Sequence, residues 1–337
     1  MWKSMVSKRW PEGLIWVLLI SACNLAAGQG THCDPKKVLT SEGCIKCHAQ
    51  ADAVWKTTPH YKTFAALTRN PAAKEIAQKM GVTSIKRGDV CIKCHYTEIE
   101  RPDGKLKPVS GVSCESCHGA GKEWVPVHND YGGIGATKES ESPQHALTRL
   151  QKARDWGMRN PHNIYDMAQS CLGCHTIPNE KLVNVGGHSA GSLDFEMVTW
   201  SQGSVRHNFL RTGGKFNAES DEKRLRVMWI AGMIADLEFS TRAVATATVK
   251  DKYGLTVAKR AADVALKIYK VQQSLHNPQL DTIIKAFAKA ELKVNNRQQL
   301  LQIADEIEVA GREFARTEDG SKLAALQKLL PPKNQYK

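Results

Sequence analysis

Apolar positions are spread unevenly along the chain, and the unevenness divides it. Between Asp221 and Val249 the sequence is nearly apolar around Trp229, Ile230, Met233, Ile234 and Leu237. A helix apolar on more than one face is a buried one. Val257, Ala261, Val264, Ile268, Val271 and Leu275 then follow in steps of four and three, which predicts a helix with a narrow apolar seam. Asn277 and Pro278 have the form of an N-cap and first helical residue, and the short helix they open carries Leu280, Ile283, Ile284 and Phe287. Another seam runs through Leu300, Ile303, Ile307, Ala310 and Phe314. A last short helix carries Leu323, Leu326 and Leu330 and stops at Pro331 and Pro332. Short connections between such helices favour antiparallel neighbours, so residues 216–337 are expected to form a helical bundle.

Residues 29–215 show only weak periodicity and are rich in Gly, Pro and His. Pro102, Asp103 and Gly104 mark a turn, as do Gly132, Gly133 and Gly135. Residues 131–165 are polar enough to suggest a surface excursion. The segment Arg211–Lys215, with Gly213 and Gly214, is the expected linker to the bundle. A region this long with so little apolar order needs another source of core.

Cysteine supplies that source. Of 10 cysteines, eight fall into four Cys-x-x-Cys-His frames: Cys44, Cys47 and His48; Cys91, Cys94 and His95; Cys114, Cys117 and His118; Cys171, Cys174 and His175. Each frame has the form of a covalent haem c attachment site. Two thioethers must reach the two vinyl positions of one porphyrin, and the next histidine binds the iron from the same short turn. A single frame could be half of a zinc site or a redox Cys-x-x-Cys. Four, with no Cys-x-x-Cys left over, argue against both. A disulfide framework has no use for a histidine after every second cysteine. The expected fold is therefore mainly α: a multihaem cytochrome c core with little regular structure, then an antiparallel bundle.

Attachment chemistry of this kind belongs outside the cytoplasm, and the N-terminus agrees. Lys3, Lys8 and Arg9 precede an apolar run from Leu14 to Ala22 that is too short to span a bilayer. Residues 1–28 thus have the form of a secretory signal. Two cleavage sites compete: after the small residues Ala26, Ala27 and Gly28, or before Cys23 at a lipobox-like Ile20, Ser21 and Ala22. The second would leave a lipid anchor on Cys23. The expected location is periplasmic or exported. Formal charge is +13, and loss of residues 1–28 lowers it to +11. Haem propionates offset much of that excess, and the remainder suits an acidic partner. No basic-aromatic motif points to nucleic acid.

Eight histidines lie outside the frames: His32, His60, His128, His145, His162, His188, His207 and His276. A second histidine closes an iron and suits electron transfer, whereas an open iron binds small molecules. Residues 44–207 resemble the tetrahaem cytochrome c-554 family of ammonia-oxidising bacteria. The resemblance rests on the first two frames, on Trp55, Lys56, Thr57, Thr58, Pro59 and His60, and on the third frame with Gly111, Val112, Glu115, Ser116 and Gly119. It continues through His128, the fourth frame, and Phe195 to Val198 leading to His207. It implies three crossed ligand pairs: His60 opposite His175, His128 opposite His48, and His207 opposite His118. In that family the second haem, here on His95, is five-coordinate.

This chain departs from the pattern at His188, flanked by Gly186, Gly187 and Gly191. His188 is expected to cap the His95 iron and make all four haems bis-histidine, with His162 as runner-up. Cys33 is assigned no role, and His145 and His276 fit solvated and helix-end positions.

The resulting expectation is an exported four-haem electron carrier with no catalytic residue. The resemblance implies a multihaem oxidoreductase of the hydroxylamine oxidoreductase type as donor, and a cytochrome or quinone-linked membrane protein as acceptor. Lys46 and Lys93 are candidates to meet propionates or an acidic donor. Two rival readings stand beside it. One is a nitrogen or sulfur oxide reductase at an open second haem. The other is a haem-bearing structural subunit, with the bundle as lid, docking or oligomerisation module.

Overall fold

The computed structural model describes residues 33–337. The expected signal segment, both cleavage sites, Cys23 and His32 lie outside the described residues. The first part of the chain is a series of short elements. Helices α1 (Ser41–Trp55), α2 (Pro59–Ala66), α3 (Pro71–Lys79) and α4 (Asp89–His95) lead into a hairpin of β1 (Thr97–Glu100) and β2 (Leu106–Ser110). Then come α5 (Cys114–His118), α6 (Val125–His128), α7 (Pro143–Asp155), α8 (Ile164–His175), α9 (Glu180–Asn184) and α10 (Met197–Ser201). The bundle follows as α11 (Glu222–Ala245), α12 (Lys252–Leu275), α13 (Pro278–Phe287) and α14 (Arg297–Thr317).

Local sequence explains where many of these begin. Thr58, Asn70, Ser142 and Asn277 each accept a backbone N–H with the side chain, and each is followed by proline at the first helical position of α2, α3, α7 and α13. That pairing satisfies a free amide and fixes φ before the helix starts. Asp221 caps α11 in the same way, accepting from Arg224.

The main core lies where the periodicity placed it. Ile230, Ile234 and Leu237 of α11 pack with Val257 and Ile268 of α12, Leu280 and Ile283 of α13, and Leu300, Ile307 and Phe314 of α14. Leu323 and Leu326 close its end from a 3-10 helix, Ser321–Leu329, rather than from an α-helix. The core also reaches upstream. Tyr165, Ala168 and Leu172 of α8 belong to it, as do Val183, Met197 and Val198. The fourth frame therefore sits on a helix that is part of the bundle's packing, across the Arg211–Lys215 segment.

Gly311 makes that approach feasible: a Cβ there would lie 2.4 Å from the Tyr165 ring. A buried polar network reinforces the join. Tyr165 Oη and Gln169 Nε2 donate to Glu238 at 2.8 and 2.9 Å, and Arg242 Nε donates to the other Glu238 oxygen at 2.8 Å. Arg242 also pairs with Asp305 and Glu308.

One sequence expectation needs correction. Residues 131–165 are not a plain excursion, because α7 occupies 13 of them and buries Ala153. Its order comes from polar contacts: Arg149 grips both oxygens of Glu141 at 2.7 Å and also donates to the His128 carbonyl. The turn expected at Pro102 to Gly104 is present and lies within a hairpin. It joins two antiparallel strands, with Thr97 and Glu98 of β1 buried and Leu106 and Lys107 of β2 exposed, so burial here follows no apolar alternation.

Candidate metal centre

The four frames share one local design. In each, the cysteines stand three apart on a helix and so face the same side. The histidine follows at the helix end in α4, α5 and α8. In α1 it breaks the helix instead, His48 having φ −116° and ψ 37°. Each frame thus presents two thiols and releases an imidazole beside them.

Every frame histidine faces one histidine from elsewhere in the chain. The ring centroids of His48 and His128 are 6.4 Å apart, those of His60 and His175 6.2 Å, those of His95 and His188 6.5 Å, and those of His118 and His207 5.9 Å. An imidazole nitrogen sits roughly 2 Å from a bound metal, so two imidazoles on opposite sides of one ion have centroids roughly 6 Å apart.

The partners come from short or irregular segments. His60 is on α2, His128 ends α6, and His188 and His207 lie in loops. Gly186, with a hypothetical Cβ 2.5 Å from the Leu182 carbonyl and 3.1 Å from Met80, packs the His188 loop against the end of α3.

Hydrogen bonds set the tautomers. The Nδ1–H groups of His118, His128, His188 and His207 donate to the carbonyls of Arg159, Val125, Ser189 and Val205 at 2.8, 2.7, 3.0 and 2.7 Å. A carbonyl only accepts, so in these rings Nε2 keeps its lone pair for a metal. His175 Nδ1 lies 2.9 Å from Ser192 Oγ. Burial pushes His95, His118 and His175 down to about 4, with the facing histidine adding to the shift, and burial also lowers His48, His60 and His128. Neutral imidazole is the form that binds iron. Indole rings brace two partners: Trp55 stacks on His60 at 5.7 Å and Trp124 meets His128 edge-on at 5.2 Å.

The donor set fits haem rather than a bare ion. Among the described residues no three or more His, Cys, Asp or Glu side chains converge as a metal cage. Each histidine pair would supply two nitrogen ligands to one iron, and a porphyrin would supply the rest. Two buried donors lack a protein partner: Trp200 Nε1, whose ring lies 5.6 Å from that of His175, and Tyr96 Oη, on the residue that follows His95. Such orphans are costly unless an acceptor fills the space.

The frames also touch one another in a fixed order. Cys44 lies beside Cys114, and Cys94 beside Cys174. Ser170 Oγ of α8 donates to the Cys117 carbonyl at 3.1 Å, joining the third frame to the fourth. The order in space is first, third, fourth, second.

Other histidines lie apart. His145 pairs with Glu141 at 2.7 Å, and His276 is the left-handed C-cap of α12. His162 is lowered by burial and by Arg224, Arg154 and Arg211. Cys33 is buried, its thiol donating to the Glu115 carbonyl at 3.0 Å and pushed up to about 12 by burial. Sequence reasoning did not find Ser192, Arg159 or the Val125 and Val205 carbonyls. The last two carry no side-chain signal at all.

Comparison with known proteins agrees with this chemistry. Over 140 residues the chain is 28% identical to cytochrome c-554 of Nitrosomonas europaea, covering 39% of this chain and 54% of the relative. The chain thus spans about half the length of that curated relative. No solved structure matches. Residues 43–119, with the first three frames, match the family model described as Cytochrome c554 and c-prime.

Proposed function

We propose that the protein is an exported carrier of electrons that binds four haems c, each held by one frame and closed by two histidines. The observation that supports this most is the spacing of the four histidine pairs, 5.9 to 6.5 Å between ring centroids. When bound, haem c supplies a one-electron ferric–ferrous couple whose potential follows from axial ligands, burial and hydrogen bonding.

The chain's own residues do the rest. Cys44 with Cys47, Cys91 with Cys94, Cys114 with Cys117 and Cys171 with Cys174 form the thioethers. His48, His95, His118 and His175 would each bind one iron, with His128, His188, His207 and His60 as their respective second ligands. His188 occupies the place that would otherwise leave the His95 iron open. The frame order favours one path from the first frame through the third and fourth to the second. The donor on this reading is a multihaem oxidoreductase, and the acceptor a soluble cytochrome or a quinone-linked membrane protein. Among the described residues no helix is long and apolar enough to cross a membrane.

Carbon monoxide and nitric oxide test the reading. The dithionite-reduced protein is expected to bind neither, while exchanging electrons rapidly with a second multihaem cytochrome. Stoichiometric binding of either gas would favour a reductase with an open iron.

A further inference from the structure

Glu115 occupies a variable position of the third frame, between Cys114 and Cys117, where a frame needs no particular side chain. It is nonetheless 1% exposed. Its carboxylate accepts three backbone N–H groups. Oε1 takes Leu39 at 2.8 Å and Gly121 at 2.6 Å, and Oε2 takes Thr40 at 2.9 Å. Those donors come from two separate places.

Leu39 and Thr40 immediately precede α1, the helix of the first frame, and Thr40 is its N-cap with φ 75°. A non-glycine residue in the left-handed region is held there by its surroundings. Gly121 begins the turn that leads through Trp124 to His128, and its amide comes so close that a Cβ would lie 3.1 Å from Glu115 Oε1. Both flanks of the His48–His128 pair therefore converge on one buried carboxylate that belongs to a different frame. Hydrogen bonds to a charged acceptor are about twice as strong as neutral ones.

We propose that Glu115 is the positioning residue of the first iron site, fixing the entry to α1 and the turn before His128 so that His48 and His128 face each other. This rests on the reading that these two histidines share one iron. The residue touches neither ring. It acts by holding the backbone on both sides of the pair, so one frame orders its neighbour's ligands.

The test uses the holoprotein and electron paramagnetic resonance. His128→Ala is expected to give one equivalent of high-spin ferric iron per chain and to bind one equivalent of carbon monoxide when reduced. Glu115→Ala is expected to reproduce that spectrum, and to differ from His207→Ala, which opens the third frame's own site. Glu115→Gln keeps an oxygen for some of the donors but turns an NH₂ toward at least one amide. It is expected to show a fraction of the same signal.

Should Glu115→Ala fail to mature, Glu115→Gln carries the test through hydrogen exchange. The amides of Leu39, Thr40 and Gly121 should then exchange faster by a factor on the order of ten. Unchanged amides, an unchanged low-spin spectrum, or a spectrum matching His207→Ala would overturn the proposal. A His128→Ala protein with no high-spin iron would overturn the His48–His128 pairing and the proposal with it. An altered His128→Ala beside an unaltered Glu115→Ala would overturn the proposal alone.

Discussion

α1 and α11 are both long helices of this chain, yet α1 buries only Trp55 along its 15 residues while α11 buries side chains on nearly every face. α2 buries none. The contrast extends to the regions they stand for. Around α11 the side chains of seven α-helices interlock in one core. Around α1 to α4 the clustered core among the described residues is Ala77, Ile85, Ile92 and Tyr96. Helices of 7 to 15 residues are marginal without tertiary packing. On the proposed function the frame-bearing region would therefore draw its order from the haems its frames hold, and the bundle from its own side chains. α8 belongs to both, since it carries Cys171, Cys174 and His175 and packs Tyr165, Ala168 and Leu172 into the bundle.

The largest test of that contrast removes the attachment. In the full chain with all eight frame cysteines changed to alanine, hydrogen exchange should approach the unfolded rate across residues 41–128 and remain slow in α8 and α11–α14. Retained protection in α1, α2 and α4 would break the comparison.

Next in size is Phe314→Ala, at a fully buried position of α14. It should cost about 3–5 kcal/mol in denaturant unfolding and leave the haem spectrum unchanged. A smaller effect is expected at the seam between the regions. Gly311→Ala drives a methyl against the Tyr165 ring and should cost about 1–3 kcal/mol. Because α8 carries His175, this variant should perturb the fourth frame's spectrum where Phe314→Ala does not.

The smallest effect is one of pH. The Arg149 guanidinium, helped by His145, holds Glu141 down to about 2. A carboxylate lower in the folded state than its ordinary value of about 4.3 contributes stability above that value and loses it as pH falls toward 2. Protection of α7 should fall over that window, and Glu141→Gln should remove the dependence.

The sequence was legible where side chains make the structure. The seams at Val257 to Leu275 and Leu300 to Phe314 gave α12 and α14 because their burial follows a helical period. α7 escaped because Ala153 is all it buries, and its order lies in a cap and an Arg149–Glu141 pair that apolar spacing does not register. The β1–β2 hairpin escaped for the same reason. At the site, cysteine spacing announced the four frames, and resemblance supplied three of the facing histidines. His188 was legible as a histidine where the resemblance has none. Glu115 was not, because its partners are backbone amides at Leu39, Thr40 and Gly121, which any residue could provide.

The most direct test of the central claim is a quantitative electron paramagnetic resonance spectrum of the oxidised holoprotein, with iron counted per chain. The account predicts four irons, all low-spin and all bis-histidine. A high-spin signal of one iron per chain, lost when His95 rather than His188 is replaced, would contradict it.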